Sequence, residues 1–371
     1  MRFESCAMSC AAAIGLIFVS AFADPCPKCL FWNPSDGVSP AEVINAYRTL
    51  RLSETPAELH AVDRALTSEE RTAWQTKYAR QMNLDRQLSA KVPQLKRFPN
   101  DDDRQSYEKL PVWPEGRMPN PDAGQCEPYL EWHLPKRLLS QAVMIVYSGG
   151  GYSGNSTDGN SVPPIRRYLN GKGMAVVTLK YRTPRPKNLP KHASAWADLQ
   201  RTIRLVRHGA AARGLDPKRI GLCGGSAGGH LSLLGALSST RQAYEPVDEI
   251  DRESCSVQLA VALFPAYVLS DGLDGENKGG GNDPDVRIAE EFAFDEKTCP
   301  VLFLHGDADR YSAMGSVKVW ERLQAKGIKS DLHALALQPH DFQYSASPGT
   351  GAYAYLDTIW DFLKERGFAD R

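Results

Sequence analysis

The chain has 371 residues, of which 42% are hydrophobic, and Lys plus Arg and Asp plus Glu both total 44. That size and apolar content can fill one large core with an appendage, or two modest domains. Balanced charge without a long basic run argues against a nucleic-acid partner, and no stretch reaches the roughly 20 apolar residues of a membrane span.

Arg2, the apolar run Ala11 to Phe22 and the small-residue pattern Ala21-Phe22-Ala23 read as a secretory signal peptide over residues 1–23. A secreted or periplasmic protein is therefore expected; the alternative is an uncleaved buried helix. Cleavage after Ala23 would leave Cys26, Cys29, Cys126, Cys223, Cys255 and Cys299. An even number in an exported chain suggests disulfides. Cys26-Pro27-Lys28-Cys29 has redox or metal spacing but no second CxxC and no βαβ context, so a disulfide is the better reading. Cys223 reads as a small buried apolar residue.

Residues 24–104 are expected to form an N-terminal helical appendage. Ser39-Pro40-Ala41-Glu42 and Thr55-Pro56-Ala57-Glu58 each combine an N-cap, proline at the first helical position and a capping-box glutamate, and Thr67 with Glu70 repeats the box. Pro99-Asn100-Asp101-Asp102-Asp103 is a polar turn that ends this segment; its carboxylates lack the alternating spacing of a calcium loop.

From residue 105 to 371 the pattern becomes strands alternating with helices. Leu130 to Leu134 alternates like a strand, and Ala142 to Tyr147 reads as a buried one. Ser148-Gly149-Gly150-Gly151-Tyr152 follows directly. A flexible linker is the plain reading, but linkers rarely interrupt strand-helix alternation inside a core. A bare backbone there could instead offer the N–H of Gly150 or Gly151 to an oxyanion, joined by that of Ala227.

Gly173 to Tyr181 is a third strand, followed by Arg182-Thr183-Pro184-Arg185-Pro186-Lys187. This loop is either a solvated connector or a basic rim in which Arg185 and Lys187 attract uronic acids. Ala193 to Ala212 is a helix with Trp196, Leu199, Ile203, Val206 and Ala210 on one face, capped by Gly214. Ile220 to Cys223 is a short strand. It leads into Gly224-Gly225-Ser226-Ala227-Gly228, a GxSxG pattern that presses a serine into a sharp strand-to-helix turn. Leu259 to Val268 is a further strand, followed by a glycine-rich insertion from Asp271 to Asp285.

Val301 to Leu304 ends in His305-Gly306-Asp307-Ala308-Asp309. After a helix around Val317 to Ala325, the strand Ser330 to Leu337 ends in Gln338-Pro339-His340-Asp341-Phe342, and a last helix runs from about Tyr353 to Lys364. The alternation predicts an α/β architecture: a mostly parallel sheet with helices on both faces and chemistry at the carboxyl ends of the strands.

Four chemical elements fall at that edge, in the order serine, carboxylate, histidine of an α/β-hydrolase. Ser226 is the candidate nucleophile. His340, after the final strand, is the candidate base; His230 on a helix and His333 within a strand read as structural. Asp307 and Asp309 both stand as candidate acids. A metal on His305, Asp307 and Asp309 is disfavoured, because no further ligands stand at a known spacing.

The segments SGGGY, TLKYR, DLQRTIRLVR, DPKRIGLCGGSAGGHLS and PVLFLHGDAD, with His340 and the entry segment Pro111-Val112-Trp113-Pro114-Glu115-Gly116, resemble α/β-hydrolase esterases related to acetyl xylan esterases and feruloyl esterases. The resemblance spans about Glu108 to Phe368. It implies ester hydrolysis without a cofactor or metal, often on acetylated plant polysaccharides, with Asp309 as the acid. It also implies that the strands after Cys255 and Cys299 are neighbours, and hence a Cys255–Cys299 disulfide. Three departures stand out: Ser148 where relatives often carry His or Pro, Arg310-Tyr311-Ser312 where Val-Pro is common, and Asp341 where Gly is common. They imply an acid loop of different shape but remove no catalytic group.

The leading expectation is a secreted serine carboxylesterase removing acetyl or similar short acyl groups from a carbohydrate. A prolyl-type peptidase would use the same three residues but usually carries a propeller domain too large for the N-terminal segment. A catalytically silent carbohydrate-binding protein on the same fold is the remaining alternative.

Overall fold

The computed structural model describes residues 107–120, 126–157, 161–270, 287–307, 309, 311–336, 338–344 and 354–369. The expected signal peptide, the helical appendage with Cys26 and Cys29, the turn at 99–103 and the insertion at 271–285 lie outside the described residues.

Strands β1 (Tyr107–Pro111), β2 (Tyr129–His133), β3 (Val143–Tyr147), β4 (Ala175–Lys180), β5 (Ile220–Gly225), β6 (Leu259–Leu263), β9 (Val301–Gly306) and β10 (Asp331–Leu335) form one sheet in the order β1-β2-β4-β3-β5-β6-β9-β10. The pairings of β1 with β2 and of β2 with β4 are antiparallel; the rest are parallel. A two-residue pair, β7 (Leu269–Ser270) with β8 (Arg287–Ile288), stands apart.

The central strands read VMIVY, IGLCGG and LAVAL, and every residue in them is buried. Continuous apolar runs of this kind belong to strands covered on both faces. The strand period of two splits β3 between two cores. Val143, Ile145 and Tyr147 join Leu199 and Ile203 of α2 (Ala193–Ala210), the leucines of α3 (Ala227–Leu237) and Val319 and Leu323 of α4 (Met314–Ala325). Met144 and Val146 face the opposite layer, with Ile165 and Leu169 of α1 (Val162–Gly171) and Ile359 and Phe362 of α5 (Tyr355–Glu365). At about 25 cal/mol per Å², these two layers are the main stabilising term.

Helix α2 buries the face predicted for it, from Trp196 to Ala210, and passes through a 3-10 turn to Gly214 in the left-handed region at φ 72°. Two elements depart from expectation. The strand expected to run to Val268 ends at Leu263, because Phe264 at φ 35° and Tyr267 at φ 59° turn the chain. The expected Cys255–Cys299 disulfide does not form, although β6 and β9 are neighbours as implied. Both thiols are free and buried; that of Cys255 is turned to the Ser239 carbonyl, 3.1 Å away.

Candidate active site

Ser226 stands between β5 and α3 with φ 57° and ψ −121°, a backbone region that a residue with a side chain occupies only under constraint. The constraint is visible. Its N–H donates to the Leu263 carbonyl at 2.9 Å, and its own carbonyl accepts from His230 at 3.0 Å and Ala266 at 3.1 Å. A side chain on Gly224 would lie 2.6 Å from the backbone of Gly228, so strand and helix meet this closely only as glycines. The turn lifts the Ser226 hydroxyl off the carboxyl end of the sheet.

His340 follows β10. Its Nε2 is 2.8 Å from Ser226 Oγ, and its Nδ1 is 2.8 and 3.0 Å from the two carboxylate oxygens of Asp309. Edge-on packing of Phe264 at 5.0 Å and the ring of Tyr311 at 4.9 Å hold the imidazole between them. The three sequence-predicted residues thus form one hydrogen-bonded chain. Such a chain can draw the hydroxyl proton onto Nε2 while the carboxylate stabilises the cation that results.

Asp309 is buried, which by itself would raise its carboxyl. The charge of His340 and hydrogen bonds from His305 and His340 outweigh that and hold it well below the usual carboxylate range. The Tyr311 N–H adds a donor at 2.8 Å. The departure Arg310-Tyr311-Ser312 therefore leaves the carboxylate on His340. Asp307, by contrast, is exposed, and its N–H pairs with the Leu335 carbonyl at 3.1 Å. His305 is the support that sequence reasoning missed: Nδ1 meets Ser316 Oγ at 2.8 Å, and Nε2 faces the Tyr311 carbonyl at 2.9 Å and Asp309 at 3.1 Å. With both ring nitrogens engaged, His305 is committed to the acid loop.

The glycine loop after β3 lies beside the first turn of α3. Tyr181 donates to the carbonyls of Ser148 at 2.9 Å and Gly149 at 3.1 Å, which occupies these acceptors and holds the loop in place. Gly150 at φ 109° reverses the chain, and its carbonyl accepts from Ser153 and Gly154 at 2.9 and 3.3 Å. No described residue accepts a hydrogen bond from the N–H of Gly150, Gly151 or Ala227. Free N–H groups at a helix start suit a developing negative charge.

Around this edge sit Tyr152 of the glycine loop, Tyr311 of the acid loop and Tyr267, the last of which no sequence pattern had marked. Tyr267 stacks on Tyr152 at 6.2 Å and meets Tyr311 edge-on at 5.6 Å. Arg185 and Lys187 are exposed on the loop after β4, and the cation that reaches the aromatic group is Lys191, 4.1 Å above the ring of Tyr267.

Residues 130–321, just over half the chain, match the family model BD-FAE. The chain belongs to the BD-FAE family. The match ends before His340, so the family segment holds Ser226 and Asp309 while the imidazole comes from beyond it. Among curated relatives of this BD-FAE member, the probable carboxylic ester hydrolase LipM of Mycobacterium tuberculosis is 30% identical over 37% of this chain and 31% of its own length. The acetylxylan esterase of Xylanibacter ruminicola is 33% identical over 30% of this chain and 22% of its own. The chain thus spans about a third or less of the length of these relatives. Two solved structures share the α/β-hydrolase fold. An acetyl ester-xyloside bifunctional hydrolase from Caldicellulosiruptor lactoaceticus gives a TM-score of 0.57 at 23% identity, covering 71% of this chain and 97% of that one. Apo esterase 2 of Thermogutta terrifontis gives 0.54 at 22%, covering 74% and 100%.

Proposed function

We propose that the protein is a serine carboxylic-ester hydrolase that removes acetyl or similar short acyl groups from a carbohydrate. The observation that carries this reading is His340, hydrogen-bonded to Ser226 on one side and to Asp309 on the other. Ser226 Oγ attacks the ester carbonyl carbon as its proton passes to His340 Nε2, and the carbonyl oxygen takes the negative charge facing Gly150, Gly151 and Ala227. Collapse expels the alcohol, which leaves with the proton from Nε2. Water then repeats the sequence on the acyl-enzyme, releasing the acid and restoring Ser226. Asp309 keeps Nδ1 protonated throughout and offsets the imidazolium charge.

The carbohydrate part of the reading is supported by the half-buried ring of Tyr311 beside His340, and by relatives and structural neighbours named for acetylated xylan and xyloside substrates. Export rests on the apolar run and Ala21-Phe22-Ala23; the free thiols of Cys126, Cys223, Cys255 and Cys299 lend it no support. No helix of the described residues is long and apolar enough to cross a membrane.

The test is hydrolysis of a chromogenic acetate ester, with a serine-reactive phosphonate and Ser226→Ala as controls. Activity abolished by the phosphonate, with label on Ser226, supports the reading. No turnover by the intact protein across acetylated xylan, pectin, feruloylated and lipid esters overturns it in favour of a silent binding protein.

A further inference from the structure

Three side chains that take no part in the chain from Ser226 to Asp309 converge behind the glycine loop. His192 precedes α2, His230 lies in the first turn of α3, and Glu291 follows β8. His192 Nδ1 or Nε2, a His230 ring nitrogen and a Glu291 carboxylate oxygen all lie within 4.8 Å of one another. Two of the distances are specific: His230 Nε2 to Glu291 Oε1 is 3.1 Å, and His192 Nδ1 to the same oxygen is 3.8 Å.

Two observations set this group apart from an ordinary ion pair. His192 is buried, and its Nδ1 has no hydrogen-bond partner although it faces Glu291. A buried, unpaired ring nitrogen is a cost that a ligand would remove. On the far side of His230, Nδ1 is 2.8 Å from the Tyr152 hydroxyl. An outer hydrogen bond on the second nitrogen is the usual companion of a metal-bound imidazole, because it fixes both tautomer and ring orientation.

The charge states also fit. Burial, reinforced by repulsion from His230, pulls His192 down to about 3, and burial lowers His230 as well. Burial would raise Glu291, but the hydrogen bond and charge of His230 bring it to about 2. At neutral pH the site therefore presents two neutral imidazoles and one carboxylate; the proton that His230 Nε2 donates to Glu291 would pass to Nδ1, facing the Tyr152 hydroxyl, when a cation takes Nε2. Lys191 opposes a cation, since its charge is felt by both histidines, but its ammonium is placed over the Tyr267 ring. In a tetrahedral site with bonds of about 2.0–2.1 Å, ligand atoms stand roughly 3.3–3.4 Å apart. The separations of 3.1 and 3.8 Å straddle that value.

We propose that His192 Nδ1, His230 Nε2 and Glu291 Oε1 form a site for a divalent cation of the zinc type, with a fourth position open to water from the partly exposed Glu291 side. Two imidazoles with one carboxylate favour zinc over calcium or magnesium. The ion clamps the start of α2, the first turn of α3 and the segment after β8. Through the His230 to Tyr152 hydrogen bond, it also fixes the exit of the glycine loop. Its role is to hold that loop, not to polarise the ester.

The full chain, stripped with EDTA, is titrated with Zn²⁺ by calorimetry and with Co²⁺ by absorption. One equivalent should bind, with tetrahedral d–d bands and no thiolate charge-transfer band, and the Tm should rise by roughly 5–10 °C at a hundredfold excess over Kd. His192→Gln and Glu291→Gln should each weaken binding at least tenfold while keeping the wild-type circular dichroism without metal. Absence of binding below millimolar Zn²⁺, wild-type affinity in both variants, or a thiolate band that places the metal on cysteines would each overturn the site. Binding is the readout, so the result does not depend on whether Ser226 acts as proposed.

Discussion

A β-carbon on Gly149 would lie 2.8 Å from the β-carbon of Ser226 and 2.6 Å from the Gly225 carbonyl oxygen. Backbone blocks it on one side and the Ser226 side chain on the other, so Gly149→Ala must displace either the loop or the serine. A shift of about 1 Å at a reacting centre can cost on the order of 10²-fold in rate. Gly149→Ala should lose at least that much kcat on an acetate ester, whereas Gly154→Ala, with open space around its α-carbon, should stay near wild type. Equal activity of the two variants would show that the loop does not abut the reacting serine.

Ser226→Ala and His340→Ala should each lower kcat by roughly 10³-fold or more with folding intact by circular dichroism, because the linked residues act as a unit. The acid is tested by ranking. Asp309→Asn should be far more damaging than Asp307→Asn, since Asp309 contacts His340 Nδ1 and Asp307 is exposed on the same loop. The reverse order would move the role to Asp307.

Acid should weaken the fold through His192. Its imidazole is held near 3 in the folded protein, against about 6.5 when unfolded. Between those values the unfolded chain binds the extra proton, so stability falls as pH falls from about 6.5, by at most about 1.4 kcal/mol per pH unit for this one group. Glu291, lowered to about 2, adds a loss in the same direction only below roughly pH 4.5. Between pH 6.5 and 5, urea unfolding in EDTA should therefore show a shallower decline for His192→Asn than for wild type. Parallel declines would mean that the imidazole is charged, or accessible, in the native state.

Cys255 and Cys299 should both alkylate after denaturation without a reductant, and peptide mass spectra should contain no link between them. Recovery of a linked peptide from freshly isolated protein would restore the disulfide and, with it, the case for export.

The basic loop makes a graded prediction. If Arg185 and Lys187 draw in uronic acids, acetylated glucuronoxylan or pectin should be hydrolysed faster than a neutral acetylated glycan at low salt, and replacing both with Ala should abolish the difference. A preference that survives that change but disappears in Lys191→Ala would shift the role to the cation over Tyr267.

The central strands and the serine turn were legible because apolar runs and small residues leave few alternatives: IGLCGG followed by a serine can be buried on both faces and still turn sharply. Strand β1, reading YEKLP, was not. It is a half-exposed edge strand defined by its pairing with β2 and by no apolar pattern of its own. Helix α1 begins Val162-Pro163-Pro164, which looks like a loop until the prolines are seen in the first turn, where no N–H is needed. The residues after Leu263, FPAYV, are apolar enough to pass for strand; only their backbone angles reveal a turn. The supports of the site, His305 under Asp309 and His230 under Tyr152, were invisible for a different reason. His230 meets Tyr152 across 78 residues, which no local spacing encodes; His305 stands only four residues before Asp309, but nothing in the pattern HGDAD says that its ring turns back onto that carboxylate and onto Ser316.

All eleven residues of α3 are buried. A helix without a solvent face cannot fray or detach while the rest of the molecule stays folded, so its amides should exchange with deuterium only through global opening. Ser226 is therefore mounted on a part of the molecule expected to yield late, whereas Asp309 and His340 arrive on loops at the sheet's rim. Under mild denaturant, esterase activity should fade through drift of the Asp309 and His340 loops well before the helix that carries Ser226 exposes a single amide, leaving an intermediate range in which Ser226 is in place but its contact with His340 is lost.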